Sequence, residues 1–157
     1  MSDFDAVTKI SIVPRGEAGG QTLFMPSDER LETGLYTREF LENRMCVALG
    51  GRIAEEILHG PDNVTTGASS DFAECTKVAK AMVTELGMSE SVGQRVIGHR
   101  GLDLPLMGKE WAGQGAPPVS QSLRALVDFE VRRIVEAQYA RGMRILRTNL
   151  PLLEQLA

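Results

Sequence analysis

Val47-Ala-Leu-Gly-Gly-Arg-Ile-Ala-Glu-Glu56, followed after a turn by Val64-Thr-Thr-Gly-Ala-Ser-Ser-Asp-Phe72, decides how this chain is read. The first run continues a helical pattern that begins near Thr37, a residue with the chemistry of an N-cap. Phe40, Leu41, Met45, Val47, Ala48, Ile53, Ile57 and Leu58 recur at helical spacing and mark its buried face. Gly60-Pro61 stops it. A second helix is expected from Ser69 or Ser70 to Leu86, with Phe72, Cys75, Val78, Ala79, Met82 and Val83 as its stripe and Gly87 at its C′ position. Gly50-Gly51 cost a helix ~1 kcal/mol each relative to Ala. They mark either a break between two shorter helices or one helix whose glycines admit a close neighbour; the single helix is the preferred reading.

Upstream, Ala6 to Val13 alternates apolar and hydroxyl residues and reads as a strand. Pro14 to Gly20 is a turn cluster and Gln21 to Met25 a short apolar run, so the pair predicts a β-hairpin. Pro26 to Leu35 reads as irregular. Downstream, Val92 to Ile97 suggests a short strand, and Gly98 to Val119, with the single Trp111, reads as a long surface loop. Ser120 caps a third helix to about Thr148, with Leu123, Leu126, Val127, Ile134, Val135, Tyr139, Met143 and Leu146 inward. Asn149 has N-cap chemistry for a last helix, which tolerates Pro151 in its first turn and is cut off at Ala157. The expected fold is mainly α with a small N-terminal β-hairpin, in one partial domain over 1–157, truncated at both ends.

The chain has 157 residues, 43% hydrophobic and 24% charged, which suits one ordinary globular domain. A net charge of −4 gives no reason to expect nucleic acid or an anionic membrane as partner. The arginines at 132–133 and 141–147 alternate with acidic and apolar residues, as on a solvated helix face. Cys46 and Cys75 are read as buried free thiols. No apolar run is long enough to span a bilayer, and the first residues carry no targeting features.

Few residues offer chemistry. Asp71 falls in the first turn of its helix, where the dipole alone favours an acid. Glu55 and Glu56 point about 100° apart, so they do not converge on one substrate atom. Thr65 to Ser69 is rich in hydroxyls but has no accompanying base, which favours a capping role. His59 sits at a helix end, where it complements the dipole, and His99 in the long loop. The seven methionines are core filler by default. No Gly-x-x-x-x-Gly-Lys-Ser/Thr loop is present, which excludes nucleotide binding by that route.

Taken in order, the Val47–Phe72 segments resemble the core of the peptidase domain of FtsH, the ring-forming AAA zinc metalloprotease family. Val7-Thr-Lys-Ile-Ser-Ile-Val-Pro-Arg-Gly16 and Gly19-Gly-Gln-Thr-Leu-Phe24 look like its strand, turn and returning strand. Glu29 to Asn43 is similar to the plastid and cyanobacterial members, and Asn149 to Leu156 to the start of the family's last helices. The likeness covers essentially the whole chain.

The resemblance implies that Asp71 is the third zinc ligand of the parent, with Ser70 standing where the family usually has Asn. It places the first two ligands, and the general base, on a His-Glu-x-x-His helix, and that motif is absent from this sequence. Glu55 is then implied as an acceptor for a zinc-binding His in the full protein. Zinc is therefore not expected to be held by this chain alone, and ATP enters only through an ATPase module outside it. The implied function is a partial peptidase domain of an ATP-dependent zinc metalloprotease acting on membrane or unfolded proteins, inactive as this chain, with no catalytic residue of its own. The implied partners are protein substrates and related subunits in a homo- or hetero-hexameric ring, at a plastid (thylakoid) or cyanobacterial membrane. The alternative is a non-catalytic structural or regulatory partner of such rings. Around Ala48, Gly51 and Glu55 a groove is expected where the zinc helix would pack.

Overall fold

The computed structural model describes residues 3–11, 13, 21–97 and 119–156. The chain divides into two compact units, Met1–Arg44 and Met45–Ala157.

In the first unit, β1 (Ala6–Ser11) and β2 (Gln21–Met25) form the expected antiparallel hairpin, running from Ala6 opposite Met25 to Ser11 opposite Gln21 with one irregularity between Val7 and Lys9. The turn residues 14–20 lie outside the described residues. Between hairpin and helix, the segment expected to be irregular contains α1 (Asp28–Thr33). Six residues are too few to show a helical period. Gly34 closes α1 at φ 64°, its N–H donating to the Arg30 carbonyl at 3.0 Å. Then α2 (Arg38–Ala48) begins on the predicted cap: the Thr37 hydroxyl accepts from the Phe40 N–H at 3.0 Å.

Arg30 is the hub of this unit. Its guanidinium meets Asp3 at 2.7 Å and Asp5 at 2.6 Å, and lies 4.5 Å from the Phe40 ring centre. Phe40 in turn stacks on Phe4 and Tyr36. An aromatic and ionic cluster thus does the work that a larger apolar core does elsewhere.

The second unit holds the end of α2, then α3 (Gly50–His59), α4 (Ser69–Thr84), α5 (Gln121–Thr148) and α6 (Leu150–Leu156). The single helix expected across Gly50-Gly51 is instead divided at Leu49. That residue keeps right-handed helical angles (φ −73°, ψ −9°), and the Ile53 N–H still donates to its carbonyl at 3.1 Å. Two successive glycines weaken the helix just there, so the interruption stays local. A Cβ built on either glycine meets nothing within 4 Å, so no neighbour among the described residues occupies that space.

α5 packs along α3 and α4 and forms the spine. Met45, Leu49, Ile53, Cys75, Ala79, Met82 and Val83 are buried at its centre, joined by Val127 and Ile134 from α5. Both cysteines are buried and outside any disulfide, as expected. Against α3, α5 carries Gly142, whose Cβ would lie 2.6 Å from Ile53 Cδ1 and 3.5 Å from Cys46 Sγ.

Beyond α4, the strand expected over Val92 to Ile97 does not form. No second strand among the described residues lies alongside to supply a ladder; the segment is a turn closed by Gly93 (φ 83°) and tied back by Ile97 N–H to the Thr84 carbonyl at 2.8 Å. The turn is locked to α5 by a buried carboxylate. Glu130, 1% exposed, accepts from the Ser89 hydroxyl at 2.8 Å and from Arg133 at 2.9 and 3.1 Å. Chiefly through Arg133, these bonds hold the Glu130 carboxyl below its usual range. α4 ends two residues earlier than expected, with Gly87 in the left-handed region at φ 61°. Ser120 caps α5 as predicted, accepting from Leu123 N–H at 3.2 Å. Asn149 does not use its side chain to open α6; its Nδ2 donates to the Ile145 carbonyl at 2.8 Å and closes α5. Residues 98–118, with His99 and Trp111, lie outside the described residues. No helix among the described residues is long and apolar enough to cross a membrane.

Candidate functional site

The site is built on the connection from α3 to α4. The chain leaves α3 through Gly60 (φ 83°), turns at Pro61–Asn63, and reaches Thr65 in an extended conformation. Two side chains one turn apart on α3 then grip Thr65. Glu55 accepts the Thr65 hydroxyl at 2.7 Å and its backbone N–H at 3.1 Å, one on each carboxylate oxygen. Arg52 donates to the Thr65 carbonyl at 2.8 Å. The same threonine hydroxyl accepts from the Gly67 N–H at 3.2 Å and caps the short 3-10 turn Thr66–Ala68, which runs directly into α4. The expectation of a capping loop is met, and the cap is Thr65.

Asp71 is the third residue of α4, in its first turn and half-exposed. No hydrogen bond or ion pair among the described residues occupies its carboxylate. Beside it in sequence, the Phe72 ring lies 5.8 Å from the Arg52 guanidinium. Arg52, Thr65, Thr66, Ala68, Ser69 and Phe72 line an open depression of about 290 Å³.

The electrostatics follow the bonds. Thr65, through its hydroxyl and then its N–H, holds the Glu55 carboxyl below the usual range. Glu56 faces away, toward α5, where its Oε2 accepts the Tyr139 hydroxyl. Burial, reinforced by Glu56, pushes Tyr139 up to about 12, so it stays a proton donor. The two adjacent glutamates diverge as expected: one reaches the connection, the other fixes the helix spine.

Both Glu55 oxygens serve Thr65, each with a further lone pair. Arg52 was not singled out by the sequence, and Tyr139 was expected only as an inward residue of the third helix. The i, i+3 spacing of Arg52 and Glu55, on one helix face just before a hydroxyl-rich turn, is the signal that identifies the first. His59 is exposed at the end of α3 and joins no metal-binding cluster among the described residues.

Among the described residues no three His, Cys, Asp or Glu side chains converge. Zinc hydrolases use three protein ligands and an open position. The donors present fit one such position and not a complete site.

Fold and site together define a mainly helical domain, with an N-terminal hairpin and a free carboxylate at the head of one helix. The model of peptidase family M41 matches residues 1–157, and the chain belongs to that family. It is 50% identical over its whole length to the chloroplastic ATP-dependent zinc metalloprotease FTSH of Capsicum annuum, of which it covers 23%. It is 48% identical to chloroplastic FTSH 1 of Arabidopsis thaliana, covering 22%, and 46% identical to FtsH 3 of a Synechocystis strain, covering 25%. The chain thus spans about a quarter of the length of these relatives.

Proposed function

We propose that this chain is one partial peptidase domain of a plastid or cyanobacterial ATP-dependent zinc metalloprotease, and that Asp71 is one of three zinc ligands there. The observation that carries the reading is the free, half-exposed Asp71 carboxylate at the head of α4, on a connection fastened from both sides of its backbone. Full-length similarity to family M41 and to relatives named as zinc metalloproteases supports it. On this reading the chain alone holds no zinc tightly and cleaves nothing, because the sequence contains no His-Glu-x-x-His pair. Protein substrates, a hexameric ring of related subunits and a membrane-associated location belong to the same proposal.

Two experiments test it. Calorimetric titration of the chain with Zn²⁺ is expected to show no tight stoichiometric binding; such binding would overturn the incomplete site. Residues 1–157 are then grafted in place of the matching segment of the Synechocystis FtsH 3 relative. The graft is expected to retain zinc and degrade an unfolded protein, and Asp71→Asn to abolish both. Zinc retention that survives Asp71→Asn in a folded graft would remove Asp71 from the metal set. A graft that assembles but neither holds zinc nor cleaves would favour the non-catalytic partner instead.

A further inference from the structure

We infer that Arg52 and Glu55 are positioning residues for Asp71, acting through Thr65; this rests on the reading of Asp71 as a metal ligand. A ligand carboxylate must be held to within a fraction of an ångström, and a loop does this poorly unless side chains fix it. Three links separate Asp71 from α3. Glu55 takes both the hydroxyl and the N–H of Thr65, and Arg52 takes its carbonyl, so all three polar groups of that residue are fixed from one helix face. Thr65 then caps the turn Thr66–Ala68 through the Gly67 N–H. That turn passes without a break into α4, with Ala68 buried beneath it, and Asp71 follows three residues later. α3 is itself fastened to α5 from another face by Glu56 and Tyr139. The helix therefore acts as a ruler: one side is anchored to the spine, the other sets where α4 begins.

The test uses the chain itself and the graft. In the chain, Glu55→Ala and Arg52→Ala are expected to speed amide exchange at Thr65–Asp71 about tenfold and to change the Asp71 χ1 couplings from one rotamer to an average. Exchange past Val78 should not change. Thr65→Val should reproduce the effect and Thr65→Ser, which keeps the hydroxyl, should not. Tyr139→Phe, which loosens the other side of α3, should leave Asp71 ordered. In the graft, Glu55→Ala should weaken zinc binding on the order of tenfold in chelator competition. Unchanged exchange and couplings would overturn the inference, as would an equal response to Tyr139→Phe, or disorder at Asp71 with unaltered zinc affinity. If Asp71→Asn retains zinc, the ligand reading fails even where the ordering result holds. If Asp71→Asn loses zinc and Glu55→Ala changes nothing, only the positioning inference fails.

Discussion

The two ends of α4 are held by the same chemical device in opposite surroundings. At its head a glutamate accepts a threonine hydroxyl, Glu55 with Thr65; past its tail a glutamate accepts a serine hydroxyl, Glu130 with Ser89. Each glutamate also lies within one turn of an arginine on its own helix, Arg52 or Arg133. Around Glu130 water is excluded; the bonds of Glu55 lie at the surface. An interaction near water adds little to stability because the unfolded chain makes equivalent bonds with solvent, whereas removing one partner from a buried set strands the others. The tail is therefore a fastening for the fold and the head a device for placing a group.

Replacing Glu130 is the severest way to break this contrast. Glu130→Ala is expected to cost about 3 kcal/mol in urea unfolding, at the lower end for a buried pair because the Arg133 side chain is 53% exposed. The pH dependence carries the same signature. Because the native Glu130 carboxyl is depressed, its contribution is complete above its ordinary value of 4.5 and falls as pH drops through the native one. Glu130→Gln should flatten the acid limb of a stability–pH curve, and an unchanged limb would show that the carboxylate is not what stabilises the turn. Tyr139→Phe removes one half-buried bond and should cost about 1 kcal/mol by the same measurement. The smallest global effect belongs to the head: Glu55→Ala should leave the unfolding midpoint in place while local exchange around Thr65 rises. A midpoint shift as large as that of Glu130→Ala would erase the distinction.

Much of this was legible in the residues. The periods of α4 and α5, the Ser120 and Thr37 caps and the Gly60-Pro61 stop all depend on neighbours within a turn or two, and each stands where its local chemistry put it. The features that escaped depend on distant partners. Glu130 lies in a charged stretch that reads as solvated, and becomes buried because Ser89, 41 residues away, closes over it. Asn149 has two helix ends to serve, and which one it serves is decided by geometry rather than residue type. Val92 to Ile97 is apolar enough for a strand but has none among the described residues to pair with. For the candidate site, Asp71 was identified by likeness to a family, while the Arg52–Glu55 grip on Thr65 exists only once both segments are folded together.

One small feature has reach beyond its size. Gly142 leaves no room for a methyl group unless the end of the Ile53 side chain shifts, and Ile53 is fully buried. Ile53 follows Arg52 immediately on α3. A bulkier residue at 142 would have to be met by a shift of the Ile53 side-chain end, in a fully buried place one residue from Arg52 on α3. The missing side chain on α5 thus sets the room that Ile53 has on α3.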